Sequence, residues 1–336
     1  MENQVATINE IKKTKKRKNS NSQMLEWKKD GWKALISLAP AMIILIIFTF
    51  YPIIKTFIIS FFPNYNYQTG YFGSVSFDCY TKILTDSTFW RAMGNTALMV
   101  FVSVPLSIIL ALLITVALNS IKVLQGFFQV VFFLPYVTNG IAFGIVFATI
   151  FSPENYGLIN SLLNAVGIAG VEWTGEAKNI PYWAGIFVIT VYSIWNGLAF
   201  KILVFLSGIQ GIDKQYYQAA QVDATPKWRV FTKITVPLLS PMILYITITS
   251  LMGAFKSYSS VVSLFGENMG PIASTADDSG LFITAVGYIY NYFNNVTGQG
   301  MTEMLPIASA AALILFLFIM VITFVQMWAN KKKVHY

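Results

Sequence analysis

The sequence predicts an all-α integral membrane protein with six transmembrane helices and both termini in the cytoplasm, and three observations carry that prediction. Of its 336 residues, 55% are hydrophobic and only 11% charged, whereas a soluble domain carries about 25% charged residues. Six uncharged stretches reach the length of about 20 residues that a helix needs to cross a bilayer core. Apart from Lys55, Lys201 and Lys256 at the span edges, Lys and Arg fall seventeen on one side and three on the other, and short loops rich in these residues stay cytoplasmic.

Residues 1–33 form a basic cytoplasmic tail that includes Lys12, Lys13, Lys15, Lys16, Arg17 and Lys18. The tail has too few apolar residues to fold alone, and beside membrane spans it reads as an anchor on anionic lipid rather than as a nucleic-acid site. The hydrophobic region covers residues 34–330. Its first span, Ala34 to Ile54, is too long for a cleaved signal core and no small-x-small site follows it. The second, Ala92 to Ile121, and the third, Val123 to Pro153, nearly touch at Lys122, which predicts a tight hairpin. A short external helix is expected around Leu158 to Val166. The fourth span, Asn179 to Phe200, leads into a cytoplasmic loop over residues 209–238, and Ile234 to Phe255 is the fifth. Leu281 to Phe293 is too short to cross and runs into Asn294 and Asn295. It reads as an external or re-entrant helix at the interface, where Tyr288, Tyr290 and Tyr292 suit the headgroup level. The sixth span, Met304 to Asn330, ends at a basic tail, residues 331–336, with Lys331, Lys332 and Lys333.

Composition also removes several chemistries. With one cysteine, Cys79, no disulfide forms within the chain and no thiolate metal site is expected. The one histidine, His335, is the penultimate residue, so a histidine-based nucleophilic triad is not expected. The nearest approach to a phosphate loop, Gly170 to Gly175, is followed by Glu176 where that motif requires Lys. Away from their ends, the six runs contain no Asp or Glu. This counts against an ion-coupled secondary transporter, which needs buried acidic groups, and against an enzyme embedded in the membrane.

The most informative stretch is Gly211 to Pro241. Physics alone gives two short helices meeting at a turn. Asp213 caps the first helix, and Thr225 restarts the chain as a second cap with Pro226 in the first helical position. Ala219 and Ala220 offer a shallow surface to another backbone. Phe231 and Ile234 pack the second helix against the inner ends of the spans, and Pro237 and Pro241 mark the start of span five. An ordinary connecting loop is the plain alternative; an L-shaped docking element is the functional one.

The residues themselves favour the second reading. Gln218-Ala219-Ala220, Asp223-Ala224-Thr225, Phe231, Ile234, Val236 and Pro237 keep every spacing of the Glu-Ala-Ala, Asp-Gly-Ala, Phe, Ile, Leu-Pro pattern of the membrane subunits of binding-protein-dependent ABC importers. Ile212 and Tyr217 fit its carbohydrate-type branch. Tyr51-Pro52-Ile53 with Ser60-Phe61, Asn95-Thr96 and Phe132-Phe133-Leu134-Pro135 also resemble that family. So do Gly157-Leu158-Ile159-Asn160, Ile194-Trp195 with Gly197, Gly270-Pro271, and Tyr288 to Tyr290 with Phe293. The resemblance covers roughly residues 35 to 330. It implies a permease subunit of an importer for a sugar, in oligosaccharide form, in a bacterial plasma membrane. It also implies a second homologous permease subunit, two ATP-binding subunits that carry the ATP and Mg, and an extracellular solute-binding protein. The chain itself would bind no cofactor and catalyse nothing. Tyr217, Gln218, Ala219, Ala220, Asp223, Ala224, Thr225 and Phe231 would then dock the ATPase. Two departures stand out. The family's Glu is Gln218, and its turn Gly is Ala224, which resists positive φ, so the turn is expected to rely on Thr225-Pro226 instead.

Candidate path residues come from costly groups at membrane depth. Lys256, beside Ser257, Tyr258, Ser259 and Ser260 at the outer end of span five, forms one hydroxyl-rich cluster whose positive charge would line a wet cavity and pair with an acidic sugar or partner. Ser193, Trp195, Asn196, Gly197 and Phe200 on span four form another, with Trp195 offering a flat face to a sugar ring. Lys55 and Lys201 are expected to snorkel to the nearer aqueous side. Gly140 and Gly144 read as helix packing.

Overall fold

The computed structural model describes residues 31–121, 125–153, 157–174, 180–272, 280–294 and 301–330. The basic runs at both termini, Lys122, Lys178, His335 and the Gly175-Glu176 pair lie outside them. The described chain is helical, without named strands; only two isolated bridges occur, Asn66 with Tyr71 and Ile272 with Gly280. It divides into two units at Ile58, and each is taken by itself.

The first unit is one apolar helix, α1 (Gly31–Ile59). Its register widens to a π-turn at Ile46–Phe50, which ends where the Tyr51 N–H reaches the Ile46 carbonyl. Pro52 follows at once. A proline ring crowds the carbonyl four residues back and donates nothing to it, and the extra residue in the turn gives that ring room. Lys55 turns its ammonium over the Tyr51 ring, 5.8 Å from the centroid.

The second unit holds the remaining helices: α2 (Asp78–Thr85), α3 (Ser87–Ser120), α4 (Gln125–Val137), α5 (Gly140–Ile150), α6 (Leu158–Ala165) and α7 (Tyr182–Gln210). After these come α8 (Lys214–Val222), α9 (Lys227–Leu238), α10 (Ser240–Phe255), α11 (Ser259–Phe265), α12 (Ala285–Asn294) and α13 (Met301–Asn330). Its core is the long pair α3 and α7. α10 and α12 lie against α3, α4 against α7, α11 against α5, and α13 against α12. At 34 residues, α3 is about 51 Å long and outreaches a core of about 30 Å. Its inward stripe is buried through Met99, Val100, Ser103, Val104, Ser107 and Ala111, while Phe101, Leu106, Ile109 and Leu113 stay exposed. In water such outward residues would aggregate; in a bilayer they are the ordinary lipid-facing surface.

Four helices, α1, α3, α7 and α13, are long and apolar enough to cross singly, and two bent pairs raise the number to as many as six. The bends correct the sequence reading of two spans. The stretch from Val123 to Pro153 is not one rod: α4 and α5 meet at 99°. Pro135 lies inside α4 near its end, and Asn139 starts α5 afresh by accepting the Ile141 N–H at 2.9 Å. The fifth stretch starts earlier than Ile234, at Lys227, and α9 bends 68° into α10 at Leu239. A second π-turn, Phe231–Thr235, ends in a Val236 N–H to Phe231 carbonyl bond one residue before Pro237, as in α1. The fourth helix runs on to Gln210, well past Phe200. The two short helices are where the sequence places them. α6 is eight residues and α12 is ten, about 15 Å, half the core thickness.

Candidate functional site: a capped helical loop and a mid-helix cavity

Three sites deserve description, and α3 connects them. At its C-terminal end stands the α8–α9 element. Asp213 caps α8, accepting the Gln215 N–H at 2.9 Å. The far end of α8 closes with paired backbone bonds: Thr225 N–H to the Ala220 carbonyl at 2.9 Å and Ala224 N–H to the Gln221 carbonyl at 3.1 Å. This is the helix end that places one residue in the left-handed region, and that residue is Ala224, φ 49°. Ala224 therefore does take the conformation expected of a glycine. The two backbone bonds offset a steric cost of about 1–2 kcal/mol. Thr225 is not the cap of the next helix either. Its N–H is spent on Ala220, and Pro226 occupies the capping position ahead of Lys227. Tyr217 braces the two helices, its hydroxyl 3.2 Å from that of Thr235.

Ala220 is 6% exposed, whereas Gln218, Ala219, Asp223 and Ala224 are exposed. Only Ala219 of the alanine pair offers a surface; Ala220 faces inward. It belongs to a groove of about 480 Å³ whose lining also includes Tyr217, Thr225 and Phe231 together with Val116 and Asn119 of α3. The outer face of the element carries large apolar side chains. Val222 is 87% exposed, Trp228 70% and Tyr216 54%. Lys214, Lys227, Arg229 and Lys233 of the same element are exposed as well.

Midway along α3 lies a cavity of about 290 Å³ between α3, α7 and α10. Ser193, Asn196 and Gly197 line it as the sequence suggests, and Lys201 completes the stripe four residues beyond Gly197. Ser103 and Ser107 face it from α3, Ser250 and Ser257 from α10 and the segment after it, and Ser260 from α11. Lys201 does not snorkel: it is 6% exposed, and its Nζ donates back to the Gly197 carbonyl at 3.0 Å. A Cβ on residue 197 would sit 2.7 Å from that Nζ, so the absence of a side chain at Gly197 gives the ammonium its place.

The other path candidates go elsewhere. Lys256 is exposed at the end of α10 and is not among the cavity residues. Trp195 has its rings against Phe143 (4.6 Å) and Phe147 (5.2 Å) of α5, and Phe200 stacks on Tyr136 at 5.8 Å. Both hold α7 to its neighbours rather than face the cavity. Tyr258 stacks on Tyr290 at 4.5 Å, and Ser259 begins α11 exposed. The missed members have a legible signal: Ser103 and Ser107 recur at four-residue spacing within an apolar run, and Lys201 continues the four-residue series of the expected Ser193 and Gly197, which puts each set on one helix face. Gly140 and Gly144 are packing positions, as expected. The Tyr192 hydroxyl donates to the Gly140 carbonyl, and a Cβ at Gly144 would collide with Ser263. Among the described residues no cluster of His, Cys, Asp and Glu could hold a metal.

At the N-terminal end of α3 the side chains form a clasp. Asn95 donates through Nδ2 to the carbonyls of Leu281 and Ile283, both at 3.0 Å, and accepts the Tyr182 hydroxyl at 2.8 Å. Thr96 accepts the Ala285 N–H at 2.8 Å. Asp86 caps α3 through Thr88 and accepts the Tyr288 hydroxyl at 2.7 Å. Burial and that carboxylate push the Tyr288 phenol far above its ordinary value of 10.0, which keeps it a donor. Phe282, fully buried, fills the space left by Gly185 and Gly270. Asn160 is a second hub: it donates to the carbonyls of Ser152, Pro153 and Val171, and accepts from the Val171 N–H and the Trp173 indole.

This architecture has known counterparts. A crystallised bacterial alginate ABC transporter, solved in complex with an alginate pentasaccharide-bound periplasmic protein, contains a chain that superposes with a TM-score of 0.73 at 21% identity, covering 91% of this chain and 96% of that one. The lactose transport system permease protein LacF of Rhizobium radiobacter is 29% identical over 307 residues, 90% of this chain and 95% of its own. The multiple sugar-binding transport system permease protein MsmF of Streptococcus mutans is 30% identical over 305 residues, with the same two coverages. Residues 103–335, which include the cavity stripe of α7 and the whole α8–α9 element, match the family of binding-protein-dependent transport system inner membrane components. The chain belongs to that family and is a membrane permease subunit of an ABC importer, whose ATPase is a separate subunit.

Proposed function

We propose that this chain forms half of the path by which a sugar, in oligosaccharide form, crosses a bacterial plasma membrane. In this reading α1, α3, the α4–α5 pair, α7, the α9–α10 pair and α13 are the six spans. Both termini and the α8–α9 element are cytoplasmic, as the charge bias supports. A second homologous permease completes the path, and an extracellular solute-binding protein delivers the cargo. Two ATP-binding subunits, which hold ATP and Mg, dock on α8 and α9.

The observation that carries the docking role is the outer face of that element. An ordinary aqueous loop between spans has no reason to leave Val222, Trp228 and Tyr216 so exposed beside a rigid, capped helix end, and a covering partner supplies one. The kept spacing from Gln218 to Pro237 supports the same assignment. The saccharide reading is supported by the cargo named for the relatives, lactose and multiple sugars among them, and by the ring of serine hydroxyls around the mid-helix cavity. The ion-coupled alternative has no support from the family.

The test is affinity purification of the tagged chain from its native membrane in mild detergent. Co-purification of an ATPase, a sister permease and a solute-binding protein is expected. Recovery as a homodimer that transports without ATP would overturn the reading.

A further inference from the structure

The mid-helix cavity contains an unusual combination: seven polar uncharged side chains, Asn196 and six serines, around one cation and no carboxylate. Lys201 sits nine residues before the end of α7, about 14 Å along the helix, and is 6% exposed. An ammonium has three donors. One goes to the Gly197 carbonyl at 3.0 Å, and among the described residues no Asp or Glu pairs with the remainder. A buried charge is retained only where something pairs with it. The same volume must admit cargo, and about 290 Å³ lies at the lower edge of small-ligand sites, roughly 300–1,000 Å³. Such a space suits one sugar unit at a time rather than a folded-up chain.

We propose that Lys201 is the charge-selecting residue of the path, its ammonium receiving an anionic substituent, a carboxylate or sulfonate, on the transported saccharide while the surrounding serines bond its hydroxyls. The inference rests on the saccharide reading above and narrows it to acidic saccharides. Gly197 is the positioning residue: it leaves room for the ammonium to fold onto the helix in the unloaded path and to swing from that carbonyl to the passing anion. Lys256, the lysine that the sequence brings forward for this role, is exposed and outside the cavity, and takes no part.

The experiment measures ATP-driven uptake by the complete importer with matched pairs of neutral and uronate di- and trisaccharides. The wild type is expected to take up uronate members at least tenfold faster than their neutral partners. Lys201→Met is expected to abolish that ratio by lowering uronate uptake far more than neutral uptake; Lys201→Arg retains most of it. Gly197→Ala, which displaces the ammonium without removing it, lowers the ratio by a smaller factor, and Lys256→Met leaves it unchanged. Wild-type preference for the neutral sugars, or an unchanged ratio in Lys201→Met, would overturn the proposal while leaving the sugar reading intact. Equal loss of both classes in Lys201→Met, together with loss of assembled complex, would also overturn it, because Lys201 then pairs with a carboxylate of the neighbouring subunit. Uptake of neither class by wild type would remove the saccharide reading and the inference with it.

Discussion

The two ends of α3 are built by different means. At the Ser87 end, buried side chains tie α3 to residues nearly two hundred positions away: Asn95 to Leu281 and Ile283, Thr96 to Ala285, and Asp86 to Tyr288. At the Ser120 end, the α8–α9 element is shaped mainly by its own backbone, through the paired bonds around Ala224 and the Asp213 cap. One side-chain bond between its helices, Tyr217 to Thr235, and an open groove complete it. Buried polar groups with every partner in place hold one arrangement, while a locally formed element can move as a unit. The comparison teaches that one end is a fixed clasp and the other a self-contained handle, which is the arrangement a mechanically driven path requires.

Five substitutions break or sharpen this contrast. Asn95→Ala should have the largest effect. It strands two buried carbonyls and the Tyr182 hydroxyl, and at about 1 kcal/mol for each lost bond it should destabilise the solubilised chain by about 3 kcal/mol, read as a lowered thermal midpoint. At the handle, Ala219→Trp should lower ATP-driven uptake at least tenfold, about 1.4 kcal/mol, while the thermal midpoint and the folded loop persist, because Ala219 is exposed. Ala220→Trp separates surface from interior: it overfills the groove and should expose the Lys227 and Arg229 bonds to trypsin, whereas Ala219→Trp should not. If both variants stay equally resistant to trypsin, the inward placement of Ala220 is wrong.

Tyr288→Phe removes one bond to a carboxylate and should cost about 1.5 kcal/mol. The sign of its pH dependence follows from the raised phenol. The folded value lies above the ordinary 10.0, so the contribution is complete below that pH and fades as pH rises through and beyond it. A wild-type thermal midpoint that falls faster above pH 10 than that of Tyr288→Phe checks this. The smallest effect is Ala224→Gly, which relieves the left-handed strain but adds backbone entropy to the unfolded chain. A net gain of about 0.5 kcal/mol is expected, visible as slower trypsin cleavage at Lys227; faster cleavage would mean the turn does not depend on positive φ.

The comparison also marks how far the sequence could be read. The handle was legible because its determinants are local: Asp213 as cap, the kept spacing from Gln218 to Pro237, and the prolines that bound its helices. Its errors were also local, and small. Pro226, not Thr225, holds the capping position because Thr225 closes the preceding helix end through its N–H to Ala220 and the next helix starts only at Lys227, and Ala224 accepted a conformation that an isolated alanine avoids because two backbone bonds outweighed the cost. The clasp was legible only as motifs. Asn95-Thr96, Gly270-Pro271 and Tyr288 resemble a family's pattern, but nothing in their spacing says that they meet.

Hydropathy, charge bias and motif spacing by themselves determined that the chain is helical and built for a membrane, and which loop carries the capped pair of short helices proposed for docking. Those properties follow from bilayer thickness and short-range geometry, which act on residues close in sequence. Only the tertiary structure decided that Lys201 and not Lys256 faces the cavity, that Trp195 and Phe200 serve packing, that Ala220 points inward, and that two runs break at Asn139 and Leu239. The physical reason is common to the first three. A helix presents every azimuth within one turn, and which azimuth becomes a cavity, a contact or a lipid-facing stripe is set by the helices packed beside it.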